Sequence, residues 1–153
     1  MIAINGKAPD FKLQSDSGDE FQLSDHTGER LLLVFYPGDN TPVCTRQLCE
    51  YHDGIEAFAE LDVSVVGISS DSLESHQRFR DKHELPFVLL SDPDLSVAKQ
   101  YGCKGTFGMK RGVFLVDDQG RIAYKHIEAL ALFRRSADEL LEAISLLDGE
   151  QAG

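Results

Sequence analysis

The sequence predicts an α/β fold: a central mixed β-sheet with helices on both faces and a β-hairpin at the N-terminal end. Three observations predict it. Two short apolar runs, LLLVFY at 31–36 and VSVVGIS at 63–69, have the length and β-branched content of strands buried on both faces. The segments between the strands carry apolar residues at helical spacing, and alternation of this kind builds a largely parallel sheet. A third pattern, Val113–Val116 and Ile122–His126 on either side of Asp117-Asp118-Gln119-Gly120, is a terminal antiparallel hairpin.

The elements follow in order. Phe11 and Leu13, then Phe21 and Leu23, flank SDSGDE as alternating pairs, the pattern of an N-terminal hairpin. Asp25–Arg30 reads as a loop. The strand Leu31–Tyr36 leads into Pro37-Gly38-Asp39-Asn40, dense turn chemistry. A helix starts near Thr41-Pro42 and runs to about Leu61, because Thr can cap and Pro fits the first helical position. Val63–Ser69 is the second buried strand. Asp71 and Glu74 form a capping pair for a helix carrying Leu73, His76, Phe79 and Arg80, which stops before Pro86. Phe87–Leu90 is the third strand. Asp92-Pro93 opens a short helix with Leu95, Val97 and Ala98, closed by Gly102. CKGTFGMKR reads as a flexible, exposed loop. After the hairpin, Ser136 and Glu139 form a capping box for a last helix whose apolar face is Ala137, Leu140, Leu141, Ile144 and Leu147.

At 153 residues the chain has the size of one domain, with no internal repeat, low-complexity stretch or linker to suggest a second. No run approaches the roughly 18 apolar residues of a membrane span. MIAINGKAPDF has no basic segment leading into an apolar one, so no secretory signal is expected. Three cysteines, an odd number, do not make a disulfide framework, and the cytoplasm is the default compartment. The formal net charge of −11 argues against nucleic-acid binding, which needs a basic patch to neutralise phosphates. It also argues against docking on anionic membranes. The acidic surface is that of a solvated protein, or of one adapted to a salty cytoplasm where screening removes self-repulsion. The five histidines, at 26, 52, 76, 83 and 126, do not cluster at metal-ligand spacing, and there is no C-x2-C, phosphate loop or G-x-S-x-G. No metal, nucleotide or haem is expected.

The chemistry concentrates between Phe35 and Asp53, FYPGDNTPVCTRQLCEYHD. Cys44 falls in the first turn of a helix, where unpaired N–H groups and partial positive charge favour a thiolate. Leu48, Tyr51, Ile55 and Phe58 follow it at helical spacing, which puts it on the inward face. Cys49 shares a polar face with His52, Asp53, Glu56 and Glu60. On an ideal helix two cysteines five residues apart are separated by about 140° and roughly 8–9 Å between Cα atoms. A disulfide tolerates about 4.4–6.8 Å, so these two bond only if the first helical turns unwind. A buried, inert Cys44 remains the plain alternative on these grounds alone.

Pro37-x-x-x-Thr41-x-x-Cys44 matches the active-site signature of the peroxiredoxins. The longer run, with its second cysteine five residues on, resembles the bacterioferritin-comigratory, or Q-type, subfamily. APDFKL, VVGISSDS, FVLLSD and RGVFLVDDQGRI resemble further family segments in the expected order, across roughly residues 5–147. The resemblance implies a thioredoxin-like fold and a thiol peroxidase acting on hydrogen peroxide and alkyl hydroperoxides. It implies that Cys44 is the peroxidatic cysteine and Cys49 the resolving one, joined in an intramolecular disulfide that a thioredoxin-like dithiol reduces. Thr41 would direct its hydroxyl at the thiolate and the peroxide, Pro37 would shield the pocket, and Arg111 would supply fixed positive charge. Lys110 is expected at the surface and Pro42 only supports the helix start. Gly38, Val43 and His52 depart from the usual family residues, and the Gly102–Arg111 loop looks short, which suggests an open pocket. Cys103 has no family role; on an exposed loop it would be incidental, or would form intermolecular disulfides. A monomer is expected, with a dimer as the alternative. Two rivals of other classes stand beside this reading: a thioredoxin-fold disulfide oxidoreductase or peroxide sensor acting on proteins, against which the C-x4-C spacing counts, and a non-enzymatic binding module.

Overall fold

The computed structural model describes residues 4–37, 49, 62–84, 88–105, 108–127, 141, 142 and 144. Strands β1 (Lys12–Ser15), β2 (Glu20–Gln22), β3 (Arg30–Phe35), β4 (Val63–Ser69), β5 (Val88–Ser91), β8 (Gly112–Val116) and β9 (Ile122–Ile127) form one mixed sheet. Its order is β2-β1-β5-β4-β3-β8-β9. Only β3 with β4 and β4 with β5 pair in parallel. The N-terminal hairpin adds antiparallel to β5, and the C-terminal hairpin adds antiparallel to β3. The alternation read from the sequence thus yields the expected α/β sheet, and its two most apolar runs are its central strands.

Each central strand feeds two cores because successive side chains point to opposite faces. Leu31, Leu33 and Phe35 of β3 pack on one face with Phe11, Phe21, Tyr101 and Phe114. Leu32, Val34 and Tyr36 pack on the other with Phe79, Leu89, Leu115 and Ile144. Helix α1 (Leu73–His83) covers the second face through Phe79, and the helical residues Leu141 and Ile144 lie there too. Helix α2 (Ser96–Gln100) covers the first through Val97 and Ala98. Leu32, Leu33, Val34, Phe35 and Tyr36 are all 0% exposed, and burying each such side chain contributes about 1.5–3 kcal/mol.

Several expectations shift. The segment read as the loop CKGTFGMKR contains a small antiparallel ribbon, β6 (Lys104–Gly105) with β7 (Gly108–Met109). The cap of α1 is Ser72, whose hydroxyl accepts from the Ser75 N–H at 3.1 Å, not Asp71. Asp71 is engaged elsewhere: its carboxylate accepts from the Ser69 hydroxyl at 2.7 Å and its carbonyl from the Ser91 hydroxyl at 2.6 Å. Helix α2 opens at Ser96 rather than at Pro93, after Leu95 in the left-handed region at φ 60°. Asp92 still serves it, accepting from the N–H groups of Val97 at 3.3 Å and Ala98 at 2.9 Å. Leu23 opens a 3-10 turn, Leu23–His26, instead of extending β2. The third strand runs one residue further, to Ser91. The Ser136–Glu139 capping box lies outside the described residues.

Candidate active site

The open end of the sheet, where β3, β4 and β5 all finish, is where ligands bind in open α/β folds. Phe35, the last residue of β3, pairs with Gly112, the first of β8. Because the two strands are antiparallel, Pro37 and Arg111 leave the sheet at the same edge. Arg111 is only 2% exposed and Pro37 is half-buried. A guanidinium keeps its charge when buried, so Arg111 is a fixed positive charge at the end of the sheet from which Pro37 departs. Lys110 is exposed, as expected. Thr41 and Cys44 lie outside the described residues, as do Gly38, Pro42, Val43 and His52.

Tyr36, immediately before Pro37, is clamped from three sides. Its N–H donates to the Ile68 carbonyl at 3.0 Å. Its ring rests on Gly67, where an added Cβ would stand 3.2 Å from the ring and 2.8 Å from Leu89. Its hydroxyl lies 3.5 Å from Nδ1 of His76, whose Nε2 lies 3.0 Å from the Leu90 carbonyl. A carbonyl can only accept, so Nε2 carries a proton and donates to Leu90, and Nδ1 faces the Tyr36 hydroxyl. His76 is 0% exposed. Sequence reasoning placed His76 on its helix but missed this chain of bonds from β5 to Tyr36. A histidine on an otherwise apolar helix face was the available signal.

Cys49, expected on a polar face, is half-buried in helical backbone. Its Sγ lies 3.7 Å from Nδ1 of His83 in the last turn of α1. The ring of His83 stands edge-on to buried Phe79, with centroids 5.0 Å apart.

Cys103 contradicts its expected exposure. It is 0% exposed, and burial pushes its thiol up to about 12, with Lys110 pulling slightly the other way. Its N–H donates to Ala98 at 2.7 Å and its carbonyl accepts from Lys110 at 2.5 Å. It joins the end of α2 to the segment that enters Arg111, and as a buried neutral thiol it is unsuited to forming intermolecular disulfides.

A cleft of about 340 Å3 lies between Lys7–Asp10, the 3-10 turn and the β8–β9 turn, floored by Leu31 and Val116. These are the far ends of β3 and β8, so the cleft is remote from Pro37 and Arg111. Among the described residues no three His, Cys, Asp or Glu side chains gather as metal ligands, and no helix is long and apolar enough to cross a membrane.

A sheet of this topology, with Pro37 and a buried arginine at one end, belongs to the thioredoxin-like class. Comparison with known proteins narrows the class: the AhpC/TSA family matches residues 4–125, and the chain belongs to that family. It is 43% identical over 130 residues to peroxiredoxin Bcp of Bacillus subtilis, covering 79% of this chain and 82% of that one. It is 38% identical over 126 residues to chloroplastic peroxiredoxin Q of Oryza sativa subsp. japonica, covering 80% of this chain and 58% of the relative. Among solved structures, the reduced 2-Cys peroxiredoxin of Plasmodium vivax superposes with a TM-score of 0.89 at 26% identity, over 98% of this chain and 99% of that one. The protein is a peroxiredoxin of the Bcp/Q kind, a thiol peroxidase that reduces peroxides at the expense of a thioredoxin-type reductant.

Proposed function

We propose that this chain turns over hydrogen peroxide and alkyl hydroperoxides through Cys44 as the peroxidatic thiolate and Cys49 as the resolving thiol. The observation that carries the reading is the edge geometry: Phe35 pairs with Gly112, so the signature that begins at Pro37 and the buried Arg111 start from adjacent positions. The Cys44 thiolate attacks one peroxide oxygen. The O–O bond breaks, the leaving oxygen takes a proton as water or alcohol, and Cys44 is left as a sulfenic acid. Arg111 stabilises the charge that builds on the oxygens, Thr41 orients the peroxide by its hydroxyl, and Pro37 limits water entry. Cys49 then displaces hydroxide from the sulfenic sulfur to give the Cys44–Cys49 disulfide and water. Thioredoxin or a similar dithiol reduces it by exchange.

The helical position of Cys49 supports a cycle with local unwinding, since on an ideal helix two cysteines five residues apart stand too far from each other to bond. The chain works as one domain, 1–153, as a monomer and in the cytoplasm, without nucleic acid or membrane; its net charge of −11 supports the last two points. The test is peroxide turnover by wild type, Cys44→Ser and Cys49→Ser with thioredoxin, with mass spectrometry of the products. Cys44→Ser should abolish consumption. Cys49→Ser should consume about one equivalent and stall as a sulfenic or overoxidised species. Normal turnover by Cys49→Ser would refute its role, and buried Cys103 would leave an external thiol as the resolver.

A further inference from the structure

The resolving step needs a nucleophilic sulfur, and the nucleophile is the thiolate rather than the thiol. An ordinary cysteine is only a few per cent thiolate at pH 7. Cys49 Sγ sits 3.7 Å from Nδ1 of His83, hydrogen-bond distance for sulfur. The two residues come from different elements, 34 positions apart. The imidazole is held by the fold: it stands edge-on to Phe79, which is 0% exposed. One turn earlier, Arg80 ties α1 to Asp16 of the N-terminal hairpin at 2.9 Å. Both members of the pair are half-buried, so solvent can reach the proton once it moves.

We propose that His83 is the general base of the resolving step. This rests on Cys49 being the resolving thiol. Nδ1 takes the S–H proton while Cys49 holds this contact, and the imidazolium N–H then donates back to the thiolate, so one contact serves both charge states. The Cys49 thiolate attacks the sulfenic sulfur of Cys44. The S–S bond forms, the S–O bond breaks, and hydroxide leaves. The proton from His83 or from solvent converts it to water. Cys49 is oxidised, the sulfenic sulfur is reduced, and no other oxidant is needed. A rise in the thiolate fraction from a few per cent, offset by lower nucleophilicity, makes the gain about ten-fold.

The test uses the full chain with His83→Gln, which keeps a polar group but cannot take the proton, and His83→Ala. Rapid-quench mass spectrometry follows the sulfenic acid and the Cys44–Cys49 disulfide after one equivalent of peroxide. In parallel, iodoacetamide alkylation of Cys49 is timed in a Cys44→Ser background. Disulfide formation and Cys49 alkylation should each slow about ten-fold in both variants, with sulfenic acid accumulating, and free imidazole should restore His83→Ala but not His83→Gln. Wild-type rates in His83→Gln would overturn the proposal, because a hydrogen bond without proton transfer would then suffice. Faster disulfide formation in either variant would also overturn it, by making His83 an anchor against unwinding. Because the alkylation arm does not require resolution, it reports on the His83 pair even if Cys49→Ser turns over normally and the resolving role itself fails.

Discussion

Gly112→Ala tests whether Cys103 and Gly112 together seat Arg111. A Cβ at Gly112 would stand 2.6 Å from Cys103 Sγ, 3.3 Å from Phe114 and 3.5 Å from Ile127. Ordinary contacts lie at about 3.5–4.0 Å, so the sulfur or the strand must shift by about 1 Å. The backbone of Cys103 is held at both its N–H and its carbonyl, and the residue is 0% exposed, so little room exists for the sulfur to swing away. Overpacking of this kind costs about 1–3 kcal/mol, which lowers Tm by about 2–4 °C per kcal/mol for a chain of this size. Cys103→Ala alone removes one buried sulfur at a cost of about 1–2 kcal/mol. In the double variant the new Cβ occupies the space that the sulfur vacates, so the two changes should couple by about 1–3 kcal/mol. Urea unfolding of the four proteins measures the cycle. Peroxide kcat/KM should fall in Gly112→Ala, because Arg111 is the adjoining residue, and recover in the double variant. Additive free energies would refute the packing argument. Recovered stability without recovered activity would refute the link to Arg111.

Tyr36→Phe removes the hydroxyl that bonds His76; it should cost about 1–2 kcal/mol in urea unfolding and lower peroxide kcat/KM by disturbing the start of the Pro37 loop. Asp92→Ala takes the acceptor from the N–H groups of Val97 and Ala98 and should cost about 1–2 kcal/mol, read as a lower urea midpoint. The raised Cys103 thiol predicts a stability loss in alkali. The unfolded thiol ionises near 9.0 while the folded one stays neutral to about 12, so this contribution is complete below pH 9 and is lost as pH rises toward 12. Unfolding free energies of wild type and Cys103→Ala should converge over that window. In the native protein Cys103 should also resist iodoacetamide at pH 8 and react only on denaturation, with peptide mass spectrometry as the readout.

The central strands were legible because a strand buried on both faces is apolar along nearly its whole length, as Leu31–Phe35 is throughout and Val63–Ser69 is apart from its serines, of which Ser64 is exposed. The signature from Pro37 to Cys44 could be singled out as a candidate because such chemistry needs particular residue types at particular spacing, whereas Arg111 stood out only through the family resemblance. The cap of α1 was misplaced by one residue, since Asp71 and Ser72 are both capping types and only the bonds from Ser69 and Ser91 to Asp71 separate them. The β6–β7 ribbon was missed because two-residue strands containing glycine carry no alternation.

The sequence by itself determined the fold class, the family and the residues to suspect, because periodicity, turn chemistry and motif spacing are local properties of the chain. Only the tertiary structure decided what those residues meet. It buried Cys103 over Gly112, ran a hydrogen-bond chain from Leu90 through His76 to Tyr36, and set Cys49 against His83, 34 positions away. Such pairings depend on how helices and strands dock, and docking is fixed by the summed burial of both sheet faces rather than by any stretch of sequence read alone.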